Sequence, residues 1–351
     1  MIESWSSVVV GLVIGGVVGA TVLLTNFCAL GGVADIVFAK DWRRMRAWIL
    51  AAGIAIVGVQ ALDAAKLLDF RESAYGINLP WLAIILGGVC FGFGMALAGG
   101  CLSRALSRVG AGSLKAFTVV LVAGLVSLIT VAGLLEGLSD ELSYVGSLRS
   151  STFTGLVTLL TQALNGASYV QWIVTALIGG GFLIFAFKDS WFRSSRSHVI
   201  GGIIIGLCIV AAWAAGAQGI NFSTSLSALT SVITMGAGEA TPLRLLPVWI
   251  VIGVPLGSFV AGALTRNLAF ESFTDPADFP RHLVGAALMG FGGTLSLGCT
   301  FGQGLSGLST LALGSFLAIG SMWFGCLWGI RAFEAGGVGS GLKLTLRRWM
   351  R

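Results

Sequence analysis

GFGMALAGGC (residues 92–101) and GFGGTLSLGC (residues 290–299) are two versions of one sequence, and each closes on a cysteine after a glycine-rich run. Placing Cys101 on Cys299 sets Gly92-Phe93-Gly94 on Gly290-Phe291-Gly292, an offset of 198. A second pair lies upstream of both. VGLVIGGVVGATVLLTNFC (10–28) lines up with IGLCIVAAWAAGAQGINFS (205–223) at an offset of 195, with Asn26-Phe27 on Asn221-Phe222 and Cys28 on Ser223. Offsets this similar mean two halves of like design. In an apolar chain, duplicated halves with glycine-rich interruptions point to a transporter.

The composition agrees. Hydrophobic residues make up 56% of the 351, charged residues only 10%, and the mean hydropathy is +0.93. A soluble domain would carry roughly a quarter charged residues. The chain is therefore a polytopic membrane protein, expected to be all-α and to sit in a lipid bilayer. Its net charge of +6 does not imply a nucleic-acid partner, because the cations fall in short runs between apolar segments, as cytoplasmic loops require. The first apolar stretch has no basic residue before it and belongs to the repeat, so it reads as a retained span rather than a cleaved leader. The six cysteines form no close pair, which supports neither a zinc site nor a redox dithiol, and no cofactor is expected. His198 and His282 open apolar segments and read as interfacial residues.

Apolar runs of roughly 18 to 20 residues mark spans. There are nine: 7–25, 47–65, 81–99, 116–135, 169–187, 199–217, 246–265, 282–298 and 311–330. A shorter apolar piece, 151–164, is too short to cross and is expected to lie at the surface or re-enter. Lys40, Arg43, Arg44 and Arg46 follow the first span, Arg104, Arg108 and Lys115 the third, and Lys188, Arg193 and Arg196 the fifth. Arg331, Lys343, Arg347, Arg348 and Arg351 follow the ninth, whereas the loop after the fourth is acidic. The loop after the seventh is mixed, with Arg266, Glu271, Asp275, Asp278 and Arg281. Basic loops belong inside, so the N-terminus is expected outside and the C-terminus in the cytoplasm.

With this orientation the first span and its counterpart, the sixth, cross in opposite directions. Four spans match four, and the fifth inverts the second copy. The expected division is 1–145 for the first repeat, 146–197 for the connector, 198–335 for the inverted repeat and 336–351 for a basic tail. Inverted repeats place their site at the repeat interface near the midplane. The steps Gly11/Gly15, Gly202/Gly206 and Gly253/Gly257 are spaced for close helix packing.

LSRALSRVGAGSLKAF after Cys101 and TFGQGLSGLSTLALGSF after Cys299 are too polar and too rich in Gly and Ser to face lipid. They read as broken helices or re-entrant loops, since irregular backbone at membrane depth survives only where protein or water satisfies it. A short helix starting at such a break aims its N–H groups at the path and favours an anion. ALGGVADIV after Cys28 and TSLSALTSV after Ser223 have the same character. Cys28, Cys101 and Cys299 thus stand at breaks, while Cys90, Cys208 and Cys326 lie inside apolar runs as small packing residues. A thiol offers a weak donor and a soft sulfur, which suits a sulfur-bearing substrate.

The segments NFCALGGVADI, GGCLSRALSRVGAGS and GCTFGQGLSGLSTLALGS resemble those of the YeeE/YedE family of sulfur-transport membrane proteins. The resemblance extends over essentially the whole chain. It implies uptake of thiosulfate across the bacterial inner membrane along an hourglass-shaped path lined by Cys28, Cys101 and Cys299. It also implies a small cytoplasmic sulfur-carrier protein as partner, and relatives that handle other sulfur or selenium species. A divalent oxyanion is costly to bring into hydrocarbon bare. The expected path offsets this with helix N-termini, with Ser103, Thr300 and Gln303, with Gly100 and Gly298 at the breaks, and with Arg104 as added positive charge. Gln303 is balanced between facing the path and packing on a neighbour, and Arg104 between the path and a plain cytoplasmic role. Asp35 and Asp63, ionisable groups in or near spans, are further candidates. The competing readings are an intramembrane thiol oxidoreductase and a membrane scaffold. The first predicts paired cysteines or a haem or quinone ligand set, and the second leaves the cysteine breaks without a purpose. No catalytic set and no ATP-binding motif is read.

Overall fold

The computed structural model describes residues 2–70, 73, 75, 78–145, 147–149, 155–163, 169–235 and 246–349. The regular elements among the described residues are helices, apart from one short two-stranded ribbon, β1 (Asn78–Pro80) against β2 (Ser147–Arg149). The first half runs α1 (Ile2–Thr25), α2 (Ala29–Ala39), α3 (Arg43–Ala64), α4 (Trp81–Leu97), α5 (Leu102–Gly110) and α6 (Leu114–Ala132). A connector follows: α7 (Glu136–Val145), α8 (Leu156–Ala163), α9 (Tyr169–Phe187) and α10 (Ser190–Ser194). The second half runs α11 (Arg196–Ala214), α12 (Phe222–Met235), α13 (Leu246–Thr265), α14 (Asp278–Leu295), a π-helical turn (Gly302–Gly307) and α15 (Leu313–Glu334). The tail helix α16 (Val338–Trp349) folds back on α15, where Trp328 Nε1 donates to the Val338 carbonyl at 2.9 Å.

Close glycine contacts fix the relative directions of the paired spans of the two halves. Along α1, Gly11 faces Leu246 and Trp249 while Gly19 faces Val254 and Ser258, so α1 and α13 run parallel. Gly202 faces Ala47 and Leu50, and Gly206 faces Ala51 and Ile54, so α11 and α3 also run parallel. Gly201 at the start of α11 meets Thr25 at the end of α1, which makes that pair antiparallel. In the other layer Gly88 faces Ala318 and Ser321, and Gly329 faces Ala96, so α4 and α15 are parallel. Gly290 faces Ala123 and Ser127, and Lys115 reaches Asp278 at 2.8 Å, so α6 and α14 are parallel. Gly87 lies opposite Gly292 and Ser296, and Gly94 opposite Gly285, so α4 and α14 are antiparallel. Each span of the first half therefore runs against its counterpart in the second. The repeat is inverted.

Glycine does this work for a physical reason. Helices in lipid gain nothing from hiding apolar surface from one another and associate by close contact of their backbones. Gly15 and Gly16 of α1 pack on Gly253 and Gly257 of α13 with no side chain between them.

Among the described residues, eight helical stretches are long and apolar enough to cross a membrane. The eighth expected span, 282–298, corresponds to α14, which falls outside that set. Its first turns carry Asp278, Arg281 and His282, and its buried face is largely glycine. It lies between α4 and α6 and needs close packing more than lipid solubility.

The mixed seventh loop also has an explanation. It docks on the turn between α5 and α6, where Leu114 N donates to the Glu271 carbonyl at 2.8 Å and Ala269 N to the Ala111 carbonyl at 3.0 Å. Arg108 pairs with Glu271, and Lys115 with Asp278. The loop's acids thus neutralise cations of the third loop on the same face. Of the piece 151–164, residues 151–154 and 164 lie outside the described residues. The rest is α8, tied to the start of α15 where Leu156 N donates to the Leu311 carbonyl at 2.9 Å.

Candidate functional site

The cysteine breaks are built by one local device. Two residues before each cysteine the backbone turns left-handed: Asn26 at φ 52°, Gly99 at 69° and Leu297 at 58°. Asparagine and glycine tolerate this conformation, whereas leucine does so only under strain held by its surroundings. The preceding helix closes with a long-reach bond, Gly100 N to the Met95 carbonyl at 3.1 Å and Gly298 N to the Gly293 carbonyl at 2.8 Å. The chain then extends at the cysteine, and a new helix starts. Cys28 (φ −158°, ψ 129°) and Cys101 (φ −80°, ψ 168°) are N-caps of α2 and α5. Caps are ordinarily Ser, Thr, Asp or Asn, whose oxygens accept from the first-turn amides. Here the Cys28 sulfur takes that place and accepts from Gly31 N at 3.5 Å.

Two of the three thiols come together. Cys28 Sγ lies 3.8 Å from Cys101 Sγ, and Cys101 Sγ lies 3.1 Å from Ser103 Oγ. All three side chains are buried. Arg104, one residue further along α5, is half-buried with its stem against Gly100. The start of α5 is fixed from both sides. Ser107 Oγ donates to the Gly19 carbonyl at 3.3 Å, and Ser258 Oγ donates to Ser107 Oγ at 3.1 Å.

Cys299 stands at the other break inside a ring of backbone donors. The N–H groups of Phe222 and Ser223 at the start of α12, and of Phe301 and Gly302, face its sulfur, with Gly302 N at 3.5 Å. Gly298 packs beside the Asn221 amide, and Thr300 is buried. Gln303 is a clamp. Its Nε2 donates to the Ser296 carbonyl at 2.7 Å, and its Oε1 accepts from Ser315 Oγ at 2.7 Å. Both ends of the amide are occupied by these contacts. Three aromatic rings lie between the breaks: Phe301 is 5.9 Å from Phe27 and 5.1 Å from Phe222.

Several participants carry no signal in the sequence. Asn221 Nδ2 donates to the Leu297 carbonyl at 3.1 Å and its Oδ1 accepts from Ser223 N at 3.3 Å, which holds two breaks together. Tyr75, from the loop between α3 and α4, is buried against Trp213, 6.2 Å between rings, and its hydroxyl reaches Asn221. Ser306 Oγ accepts from Ile220 N at 2.8 Å and donates to the Ile220 carbonyl at 3.1 Å. Only the repeat of Asn26 at Asn221 hints at any of these.

The remaining candidates fall elsewhere. Asp35 pairs with Arg44 at 3.1 Å, and Asp63 accepts from Gln171 at 2.9 Å, so both tie neighbouring helices together. His198 Nδ1 meets Ser195 Oγ and His282 Nδ1 meets the Asp278 carbonyl, each at 2.7 Å. Among the described residues no group of His, Cys, Asp and Glu could hold a metal ion. On the basic face, burial pushes the Glu271 carboxyl up, but Arg108 beside it prevails and holds the group below its ordinary value.

An inverted pair of helical halves, with broken helices starting on thiols at their shared interface, defines the class. This is a multi-pass membrane protein of the transporter type. The Sulphur transport family model matches residues 24–328, and the chain belongs to that family. The thiosulfate transporter TsuA of Escherichia coli (strain K12) is 28% identical over 316 residues, covering 86% of this chain and 87% of its own. The thiosulfate transporter TsuA of Spirochaeta thermophila is 27% identical over 335 residues, covering 88% and 93%. A probable transporter of Xylella fastidiosa is 26% identical over 111 residues, 32% of this chain and 74% of its own.

Proposed function

We propose that the protein carries thiosulfate into the cell across the bacterial inner membrane, passing it along Cys299, Cys101 and Cys28. The observation that carries this reading is the placement of buried thiols at helix N-termini, two of them 3.8 Å apart. Thiosulfate has a charged oxyanion end and a soft terminal sulfur. The N–H groups around Cys299 and at the starts of α2 and α5 offset the charge, and the thiols meet the sulfur. Sites of this kind bind weakly enough that the ion leaves as readily as it arrives.

The basic loops support an N-terminus outside, a C-terminus in the cytoplasm, and the division into halves at 1–145 and 198–335 around the connector. Cys299 then faces the outside, and the Cys28–Cys101 pair faces in. A small cytoplasmic sulfur-carrier protein receives the product at the inner mouth. The spatial pairing of Cys28 with Cys101 is also what an intramembrane dithiol enzyme would need. The two readings part in strong reductant, where thiosulfate uptake continues and a redox turnover stops.

Cysteine variants test the reading. Cys101→Ala and Cys299→Ala abolish thiosulfate uptake at wild-type expression. Cys90→Ala, Cys208→Ala and Cys326→Ala retain it, at a packing cost of about 1 kcal/mol. Wild-type uptake by all of these variants would remove the thiols from the path.

A further inference from the structure

The face that carries the basic loops has four cations around the α5–α6 turn and the loop docked on it, and three of them share the two carboxylates of Glu271 and Asp278. Arg108 pairs with Glu271, Lys115 with Asp278, and Arg281 with Asp278. Arg104 makes no ion pair among the described residues. A half-buried guanidinium without a counter-charge is unfavourable, and an anion beside it relieves that cost.

Arg104 also borders open space. A cavity of about 280 Å³ is walled by Asn26, Arg104, Ser107, Arg108, Asn267 and Glu271 among others. One water needs only about 10–15 Å³ of such space, so a small oxyanion enters with part of its hydration shell. Glu271 does not repel it strongly, because its carboxylate is already engaged by Arg108 and Ser113. Two guanidiniums against one carboxylate leave the wall net positive. On the other side of Arg104, between Gly99, Gly100 and Lys115, the space shrinks to about 10 Å³, at the limit for a single water. The wide side is where an ion can rest.

The position of the chamber is as telling as its charge. Asn26 lies two residues before Cys28, and Arg104 three residues after Cys101, so the chamber adjoins the thiol pair. Its polar lining consists of two amides, two hydroxyls, two guanidiniums and the Glu271 carboxylate, with no sulfur-bearing residue.

We propose that this chamber is a second anion station, between the thiol pair and the basic face, where Arg104, Asn26 and Asn267 hold a divalent oxyanion by its charge. The station rests on the transport reading and deepens it, because it separates selection from release. The thiols choose a sulfur-bearing ion, while the chamber accepts sulfate and thiosulfate alike.

Binding of sodium sulfate and sodium thiosulfate to the purified full-length protein, followed by calorimetry at low ionic strength, tests the station. Both ions bind the wild type within a few-fold of each other. Arg104→Gln weakens sulfate on the order of tenfold or more, as loss of a charge-assisted contact requires. Arg104→Lys keeps most of the affinity. Asn267→Asp, which puts a carboxylate in the chamber without touching Arg104, produces a loss like that of Arg104→Gln and serves if Arg104→Gln does not fold. Unchanged sulfate affinity in a folded Arg104→Gln or Asn267→Asp protein would overturn the station, as would thiosulfate binding with no sulfate binding in the wild type. Thiosulfate uptake by the wild type, measured alongside in proteoliposomes, reports separately on the transport reading.

Discussion

At the scale of single residues, the site rests on cysteine in a place where the backbone asks for a hydroxyl or carboxylate. Cys28 fills an N-cap with a sulfur that accepts weakly from Gly31, and Cys101 leans on Ser103. Stability alone would favour Ser at such a cap; in the second half Ser223 aligns with Cys28 but lies inside α12, and the Asn221 side chain accepts from the first-turn amide there. The geometry makes a direct prediction. In a protein retaining only Cys28 and Cys101, a small membrane-permeant oxidant joins the two, since rotation about the side chains brings sulfurs 3.8 Å apart within bonding distance. Thiol counting and mass spectrometry of the linked peptides read this out. Two thiols that both stay free after oxidation would contradict the placement of α2 against α5. The cysteines at the breaks were legible because glycine marks the breaks. Gln303, Asn221 and Tyr75 were not, or not fully. Their partners are carbonyls, hydroxyls and amides brought together only by folding, and no local pattern announces such a contact.

Among elements, the broken helices at Cys28, Cys101 and Cys299 were readable from composition, because polar, small-residue runs cannot face lipid. Their inner form was not. The run after Cys299 contains a π-helical turn, Gly302–Gly307, whose Gly304 and Gly307 lie close against Trp48 and Tyr75. The eighth span was read correctly as an element, yet α14 is less apolar than its neighbours because its first turns carry Asp278, Arg281 and His282. Helix pairing depends on those glycines. Gly257→Leu would place a side chain on the backbone of Gly16 and force α1 away from α13. Overpacking of this kind costs about 1–3 kcal/mol and lowers the melting temperature of the purified protein. Gly320→Leu, where nothing lies within 4 Å, leaves it unchanged. Equal melting of the two variants would show that α1 and α13 do not pack as described.

For the whole molecule, the repeat was legible because the halves kept their break sequences. The parallel pairing of α1 with α13 and of α4 with α15 across the halves was not, since nothing in either half specifies its partner. The exchange of partners is what brings breaks from both halves to one place, and the docking of the 266–277 loop on the α5–α6 turn gathers cations and acids on a single face. The central claim is that charge is met by helix N-termini while sulfur is met by thiols, so that two ions of like charge are treated differently. Rejecting an ion that lacks the contact is worth a few kcal/mol, on the order of a hundredfold in rate. The most direct measurement is the initial uptake of radiolabelled thiosulfate and sulfate into proteoliposomes containing the unmodified protein. Thiosulfate enters at least on the order of a hundredfold faster, and Cys101→Ser narrows the ratio along with the rate. Equal uptake of the two ions by the unmodified protein would contradict the account.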